Sequence, residues 1–327
     1  MALAQHIREK LTLPAFCAPM FLCSTQELAA ESRKAGIVGS LTANHCRDLE
    51  ELESHLAFVS ESVARFADEQ PGKTIGPFAV NVAPTKDPAD FAVWLDACKR
   101  HGTDIIVTSV GNPTAVAPVV RDYGFQHYHD VTNMRFAEKA ASAGVDGMIA
   151  IGAGGGGHAG TISHLAFIPK IREMFDGTVV MAGAVTTGGA IRAAEMLGAD
   201  LAYLGTRFIA TRESGAPDPY KAMLVDGGID DVIYTRGVNG MPASWLKASL
   251  REAGLDPENL VMPEGRSTDH LPADKTPWRD IWSGGQGIGL IDAIPTTVEL
   301  VAQLQREYVE ACAIPDSAEA ARAALGG

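Results

Sequence analysis

The sequence predicts an α/β fold, a (β/α)8 TIM barrel with a smaller, mostly helical insertion after the eighth strand. The first observation is a repeated alternation, in which eight short apolar runs are separated by segments with helical periodicity. Apolar strands that alternate with helices indicate a parallel sheet covered by helices, and eight of them indicate closure into a barrel. The second observation is that this alternation stops near Thr211, after which Pro and Gly are frequent and the spacing is irregular.

The two periodicities place the individual elements. The predicted strands are 15–20, 37–40, 78–82, 105–109, 125–131, 145–151, 178–183 and 201–205. The predicted helices between them include 25–35, 88–101, 115–123, 133–143 and 190–197. Later, 243–253 is predicted as a short helix of the insertion and 294–312 as an amphipathic helix that packs on the barrel. The chain is thus predicted to consist of a barrel (1–212), an insertion that caps its mouth (213–279), and a return segment with the C-terminal helix (280–327).

Composition and charge argue against several classes of partner. The 327 residues include 27 Lys and Arg against 40 Asp and Glu, a formal net charge of −13, and no concentrated basic block, so we expect neither nucleic acid nor a membrane surface as a partner. No apolar run is long enough to span a bilayer, and the first residues lack the core of a signal peptide. The five cysteines are scattered and odd in number, which favours reduced thiols over disulfides or zinc. We therefore expect a cytoplasmic protein without a metal centre.

The most informative motif is a glycine-rich run, Ile151 to Gly160, that follows the sixth predicted strand and contains His158. Glycine lets the backbone approach a ligand closely, at a cost in chain entropy. An imidazole at the end of such a run is typical of an active-site loop that carries a proton-transfer group. The alternative is a flexible surface loop with an incidental histidine.

Two later loops favour a phosphate site. Gly183 and Ala184 follow the seventh predicted strand, and Gly205 and Thr206 follow the eighth. In a parallel barrel, backbone N–H groups at these two positions commonly bind phosphate. Neither loop contains the lysine of a P-loop, and no Gly-x-Gly-x-x-Gly motif opens a strand–helix unit, which argues against P-loop and Rossmann nucleotide sites. Two ordinary strand–helix turns are the alternative.

Other residues have a structural interpretation beside a functional one. His127 and His129 share a face of the fifth predicted strand, but without a third ligand, barrel-lining or hydrogen-bonded histidines are favoured over a metal pair. Arg207 either helps to neutralise a phosphate or forms a structural ion pair. Trp245 and Trp282 are expected to pack the insertion onto the barrel.

Seven short segments, in their order along the chain, carry a family resemblance. They are Ala18-Pro19-Met20, Phe78-Ala79-Val80-Asn81, Gly155-Gly156-Gly157-His158-Ala159-Gly160, Ala182-Gly183-Ala184, Gly198-Ala199-Asp200, Gly205-Thr206-Arg207-Phe208 and Ile281-Trp282-Ser283-Gly284-Gly285-Gln286-Gly287. The sequence resembles the nitronate monooxygenases, formerly called 2-nitropropane dioxygenases, which are FMN-dependent barrels. The resemblance covers nearly the whole chain, and its most specific parts are the Gly-Gly-His-x-Gly loop and the Gly-Thr-Arg-Phe turn. A flavin-dependent enoyl-ACP reductase and NADH:quinone reductases share this fold and FMN site.

The resemblance implies a role for each matching residue. His158 is implied as the catalytic residue that faces the substrate, and no metal ligand is implied. The residues implied to bind FMN are Met20 and Asn81 against the isoalloxazine ring, Gly155, Gly156 and Gly157 in the glycine loop, Gly183, Ala184, Gly205 and Thr206 around the phosphate, and Ser283 and Gln286 along the border of the flavin.

The sequence departs from the family pattern at two positions. Relatives often have glycine where Ala184 stands, and alanine is expected to be tolerated there if the backbone needs only a negative φ. The fifth strand reads His129-Asp130, whereas some relatives have a lysine after the histidine. The resemblance therefore implies the loss of a positive charge near the flavin, which would change the electron donor or the polarity of the substrate.

The activity that the resemblance implies is FMN-dependent oxidation of alkyl nitronates, or of the parent nitroalkanes, by O₂ to a carbonyl compound and nitrite. His158 would hydrogen-bond the nitro oxygens or abstract the α-proton of a neutral nitroalkane. One alternative is an NAD(P)H-dependent flavin reductase of quinones or enoyl thioesters, and another is a barrel that binds FMN or a phosphate ligand without this chemistry. The implied partners are small molecules, and a homo-oligomer is left open.

Overall fold

The computed structural model, which describes residues 2–84 and 88–313, contains an eight-stranded parallel barrel. Its strands are β1 (Ala15–Cys17), β2 (Gly39–Thr42), β3 (Phe78–Asn81), β4 (Ile105–Thr108), β5 (Gln126–Val131), β6 (Gly147–Ile151), β7 (Thr178–Ala182) and β8 (Leu201–Leu204). They pair in the order β1-β8-β7-β6-β5-β4-β3-β2. Bonds from Cys17 N to Val38 O (2.9 Å) and from Val38 N to Ala15 O (3.1 Å) join β1 to the chain just before β2. These bonds close the sheet, so the predicted (β/α)8 barrel is confirmed.

Helices connect successive strands and cover the barrel. They are α1 (Gln5–Arg8), α2 (Gln26–Lys34), α3 (Leu49–Glu69), α4 (Pro88–Arg100), α5 (Ala117–Asp122), α6 (Met134–Ala143), α7 (His164–Met174), α8 (Gly188–Met196), α9 (Thr206–Ile209), α10 (Asp218–Asp226), α11 (Lys247–Glu252) and α12 (Thr297–Cys312). The prediction lacks α3 and α7, and α7 contains Pro169, which weakens the helical signal. In the described part of the chain, no helix combines the length and apolar character needed to cross a membrane.

Side chains of each strand alternate between the barrel interior and the surrounding helices, and this decides which residues reach the carboxyl-terminal mouth. The interior cluster includes Phe16, Ala79, Val107, Tyr128, Ile149, Val180 and Tyr203. Because Tyr128 of β5 belongs to this cluster, Asp130, two residues further on, also faces the interior. His127 and His129 consequently face the helices.

The insertion is less helical than the sequence predicts. It contains α10 and α11, but also an antiparallel hairpin of β9 (Val232–Thr235) and β10 (Ala243–Leu246). The predicted helix 243–253 is therefore wrong over its first four residues, which form β10, and right over Lys247–Glu252. Pairing with β9 and complete burial of Trp245, whose ring lies 4.4 Å from that of Trp278, override the helical pattern here.

The return segment and α12 are tied to the barrel by buried polar groups. Thr296 and Glu299 form a capping box that starts α12. The buried Arg207 donates to the carbonyl oxygens of Ala210 and Ala293, both at 3.4 Å. These bonds give Arg207 a structural role between α9 and the return segment, but its hydrogen-bond partners in the described part of the chain are carbonyl oxygens and not the carboxylate of the ion pair that the sequence suggested.

The two histidines of β5 share one hydroxyl. Thr108 Oγ1 lies 2.8 Å from His127 Nε2 and 2.7 Å from His129 Nδ1. Since a hydroxyl has a single hydrogen, it donates to one imidazole and accepts from the other. Burial lowers the pKa of His127 to about 3 and that of His129 to about 4, so both rings are neutral at pH 7. The hydrogen-bonded interpretation of the pair is confirmed.

We expect this pair to make the fold sensitive to acid. The unfolded histidines bind protons near pH 6.5, and the folded ones only near pH 3 and 4, so the unfolded state binds more protons between these values and stability falls as the pH falls. The contribution of the pair between pH 7 and pH 4.5 is on the order of 5 kcal/mol. The measurement is urea unfolding of the wild type and of the double variant His127→Gln/His129→Asn, whose amides replace the bonded ring nitrogens. The difference in pH dependence between the two proteins gives the contribution of the histidine pair. Equal pH dependence in the two proteins would contradict the assignment.

Candidate active site

The carboxyl ends of β6, β7 and β8 bring the glycine-rich segments together. Gly285 N donates to Thr206 Oγ1 at 3.0 Å, and Gln286 N donates to Gly154 O at 2.9 Å. A Cβ at Gly156 would lie 3.0 Å from Thr206 Oγ1. The loop after β6, the turn after β8 and the return segment are therefore in direct contact, as the sequence motifs predict.

Ser283 and Gln286 hold the loop after β6 from the side of the return segment. Gly157 N donates to Ser283 Oγ at 2.9 Å, and the carbonyl oxygen of Ser283 accepts a bond of 2.5 Å from the buried Tyr220 hydroxyl. Gly154 has a φ of 80°, and a Cβ there would come 2.9 Å from Gln286 Oε1. Only glycine combines this backbone conformation with such a close approach.

Three backbone donors at the ends of β7 and β8 are available to a ligand. The N–H groups of Ala184, Gly205 and Thr206 find no hydrogen-bond acceptor within residues 2–84 and 88–313. The Thr206 hydroxyl accepts the N–H of Gly285, which leaves its own hydrogen free to donate. Uncompensated donors at two neighbouring strand ends are what an anionic phosphate requires.

The turn after β7 is strained. Gly183 has a φ of 119° and Ala184 a φ of 55°. The condition under which alanine was expected to be tolerated, a negative φ, is therefore not met at Ala184. A left-handed alanine costs about 1–2 kcal/mol, and such strain is retained when the surrounding structure fixes the backbone, often at a ligand site.

His158 lies between the barrel and the insertion. The carbonyl of Gly157 accepts a bond of 2.9 Å from Ser244 N of β10, and the carbonyl of Ala159 accepts one of 2.9 Å from the Tyr234 hydroxyl of β9. The residue is exposed, with its ring 5.2 Å from that of Trp278. Partial burial of the ring, followed by the positive charge of Arg266, lowers the pKa of His158 below 6.5. The ring is neutral at pH 7.

The family model of nitronate monooxygenase matches residues 6–307. The chain belongs to the nitronate monooxygenase family. Members of this family are oxidoreductases that use a flavin.

Two curated relatives and one solved structure show the range of similarity. A 5-hydroxy-7a-methyl-1-oxo-octahydro-1H-indene-4-carboxyl-CoA dehydrogenase of Mycobacterium tuberculosis is 30% identical over 54% of this chain and 50% of its own length. A nitronate monooxygenase of Paraburkholderia phytofirmans is 29% identical over 68% of this chain and 64% of its own. The nitroalkane oxidase of Streptomyces ansochromogenes superimposes with a TM-score of 0.74 and 26% identity over 93% of this chain and 98% of that one. The chain thus spans about half the length of the first of these relatives.

The other residues that the resemblance implies lie at the same mouth, but their side chains differ in how strongly they are held by neighbouring groups. Met20 lies three residues beyond β1, and a Cβ at Gly205 would be 3.6 Å from its sulfur. Asn81 ends β3, as predicted. Its Oδ1 accepts a bond of 2.7 Å from Asn44 Nδ2, and its Nδ2 donates to Ser109 Oγ at 2.9 Å. Asn81 is thus fixed by polar contacts that span the ends of β2 and β4.

The family motifs do not reveal the insertion residues at the mouth. A cavity of about 420 Å³ opens beside the hairpin, lined by Tyr234, Thr235, Arg236, Pro242, Met262 and Pro263. A larger cavity of about 660 Å³ lies at the opposite end of the barrel, next to the ion pair of Arg172 and Asp200. No motif signals the position of Tyr234, because its proximity to His158 depends on the fold.

We expect Ala184→Gly to raise the free energy of unfolding by about 1 kcal/mol, because the left-handed strain disappears and is offset only in part by the greater freedom of the unfolded chain. Chemical denaturation measures the change. The control is Ala193→Gly at an exposed position inside α8, which should lower stability by about 1 kcal/mol. A loss of stability in both variants would show that the φ of 55° carries no strain.

Proposed function

We propose that this protein binds FMN and uses it to oxidise alkyl nitronates, or the parent nitroalkanes, with O₂ to a carbonyl compound and nitrite. One arrangement carries the proposal: backbone donors without acceptors at the ends of β7 and β8 lie against the glycine loop that holds His158. Membership of the nitronate monooxygenase family and the similarity to a nitroalkane oxidase structure support it.

The residues at the mouth fit FMN because they offer backbone and hydroxyl donors to its phosphate. The N–H groups of Ala184, Gly205 and Thr206, with the Thr206 hydroxyl, would bind the phosphate. Gly183 and the glycines at 155–157 would let the backbone approach the cofactor, while Met20, Asn81, Ser283 and Gln286 would surround the flavin. Bound FMN would supply the electron-accepting group of the reaction.

His158 would accept the α-proton of a neutral nitroalkane. Its lowered pKa keeps a ring nitrogen unprotonated at pH 7, so this nitrogen can accept the α-proton as the carbon–hydrogen bond breaks. With a nitronate, whose α-proton is already lost, the same ring would hydrogen-bond the nitro oxygens instead. A neutral histidine therefore suits both substrates.

Arg266 would favour an anionic substrate at this position. The chain carries a net charge of −13, which opposes the approach of a nitronate. The positive charge of Arg266 is close enough to His158 to lower the pKa of its ring. A local cation next to the proton-accepting group would offset the general repulsion and stabilise negative charge on the nitro group.

We expect His158→Ala to retain FMN but to lose turnover of a neutral nitroalkane by about 100-fold or more, the usual size of a general-base contribution. Turnover of the preformed nitronate should fall less, because no proton has to be removed. Flavin absorbance and nitrite release measure the two properties. The control is His101→Ala, at the end of α4 and remote from the mouth. Full activity of the His158 variant on the nitroalkane would remove this residue from the mechanism.

We expect Gly183→Val to weaken FMN retention. A Cβ at Gly183 would lie 3.1 Å from Ala153 O and from the His164 ring, and its φ of 119° is rarely adopted by other residues. The matched control is Gly189→Val in the first turn of α8, where the nearest atom to a Cβ is Thr187 Oγ1 at 3.8 Å. Equal flavin occupancy of the two purified variants would show that the phosphate binds elsewhere.

A second candidate is an NAD(P)H-dependent flavin reductase of quinones or enoyl thioesters. The observation that favours it is the cavity beside the hairpin of β9 and β10, which combines apolar Met262 with the exposed cation Arg236 and could accept an apolar chain on an anionic carrier. The Mycobacterium tuberculosis relative is named for a coenzyme A thioester. Anaerobic addition separates the candidates: bleaching of the flavin by an alkyl nitronate supports the first, and bleaching by NADH or NADPH alone supports the second.

A further inference from the structure

Asp130 is a half-buried acid inside the barrel that the proposed mechanism does not use. It lies on the interior face of β5, two residues beyond Tyr128 and next to the carboxyl end of the strand. Its Oδ1 is shielded from water and has no hydrogen-bond partner in the described part of the chain. A buried carboxyl oxygen without a partner is costly, and it marks a position where a ligand can complete the hydrogen bonding.

The groups that surround Asp130 carry no positive charge. On the β4 side, the Ser109 hydroxyl lies close enough to the carboxyl to lower its pKa. On the β6 side its register partner is the apolar Ile149. Across the barrel lies Tyr203 of β8. Burial raises the pKa of that tyrosine well above 10, so it is neutral at pH 7.

The protonation state of Asp130 follows from this environment. Burial raises its pKa from 3.8 to about 7, against a smaller lowering by the Ser109 hydroxyl. The histidines at 127 and 129 lie on the opposite face of β5 and are neutral. Asp130 therefore changes from acid to carboxylate close to neutral pH.

Asp130 is also connected to the mouth. Asn81 Nδ2 donates to Ser109 Oγ at 2.9 Å, and the Ser109 hydroxyl contacts the Asp130 carboxyl. The polar groups thus form a continuous row across the ends of β3, β4 and β5. Asn81 is one of the residues that would lie against the flavin ring.

We propose that Asp130 is a further residue of the cofactor site, where in its protonated form it donates a hydrogen bond toward the bound flavin. The proposal rests on the proposed binding of FMN. A neutral acid favours negative charge that develops on the flavin during reduction, whereas the carboxylate opposes it by like-charge repulsion. The midpoint potential of bound FMN should therefore fall more steeply with pH once Asp130 loses its proton.

The first measurement uses the apoprotein. Asp130→Asn keeps the size of the side chain and a neutral donor at every pH. Because the folded pKa of Asp130 is raised, its stabilising contribution is complete below pH 3.8 and is lost as the pH rises through about 7. The variant should unfold at a higher urea concentration than the wild type, by a smaller margin at pH 5 and by a larger one at pH 8. The control is Asp122→Asn at an exposed position, which should shift neither value.

The second measurement is the midpoint potential of FMN bound to the wild type and to Asp130→Asn, by dithionite titration between pH 5.5 and pH 8.5. The wild type should show an inflection near pH 7 that the variant lacks. Equal urea midpoints at pH 8, or identical potential curves, would overturn the role of Asp130. If the wild type does not bind FMN, both the proposed function and this role of Asp130 are overturned. In that case the urea comparison of the two apoproteins would still show the pH dependence that Asp130 causes. A failed function is thereby distinguished from a wrong assignment of Asp130.

Discussion

The candidate site depends on one backbone contact, between the glycine loop after β6 and the return segment before α12. Gln286 N bonds to Gly154 O at 2.9 Å, and a Cβ at Gly285 would lie 2.7 Å from that same oxygen. The two backbones approach this closely because a side chain is absent at the point of contact. Since Gly285 also bonds to the Thr206 hydroxyl, the contact fixes the turn after β8 as well. Loss of this approach would separate the donors from the loop that carries the histidine.

The insertion completes the positioning of His158. The residues on either side of it are held through their carbonyl oxygens, Gly157 by Ser244 and Ala159 by the Tyr234 hydroxyl. His158 is therefore placed by a hairpin that lies far from it in sequence, and the hairpin in turn is anchored by its buried tryptophan. A barrel without this insertion would present the same glycine loop with a less restrained histidine. The insertion thus contributes to the chemistry as well as to the shape of the mouth.

Most strands could be predicted from the sequence because they are apolar runs buried on both faces, and this signal is local. The clearest exception is β5, which contains two histidines and Asp130. One local prediction was wrong for a non-local reason. Residues 243–246 pair with β9 and with the glycine loop, which overrides their helical pattern. The φ of 55° at Ala184 has no signal in the sequence, because alanine rarely adopts this conformation. The family motifs predicted the backbone donors and His158. That Arg266 and Trp278 lie near His158 follows only from the fold.

Hydrogen-bond donors, rather than buried charged groups, determine the electrostatics of the site. His158 is neutral at pH 7, and the cation that lowers its pKa, Arg266, is exposed. Backbone N–H groups and hydroxyls stabilise negative charge as it develops without a counter-ion that must be desolvated. In such an interior a single carboxylate has a large effect, because little around it screens or balances its charge. If Asp130 faces the flavin as proposed, its proton keeps the interior uncharged, and the preference of the site for an anionic nitronate is coupled to the protonation of one residue on β5.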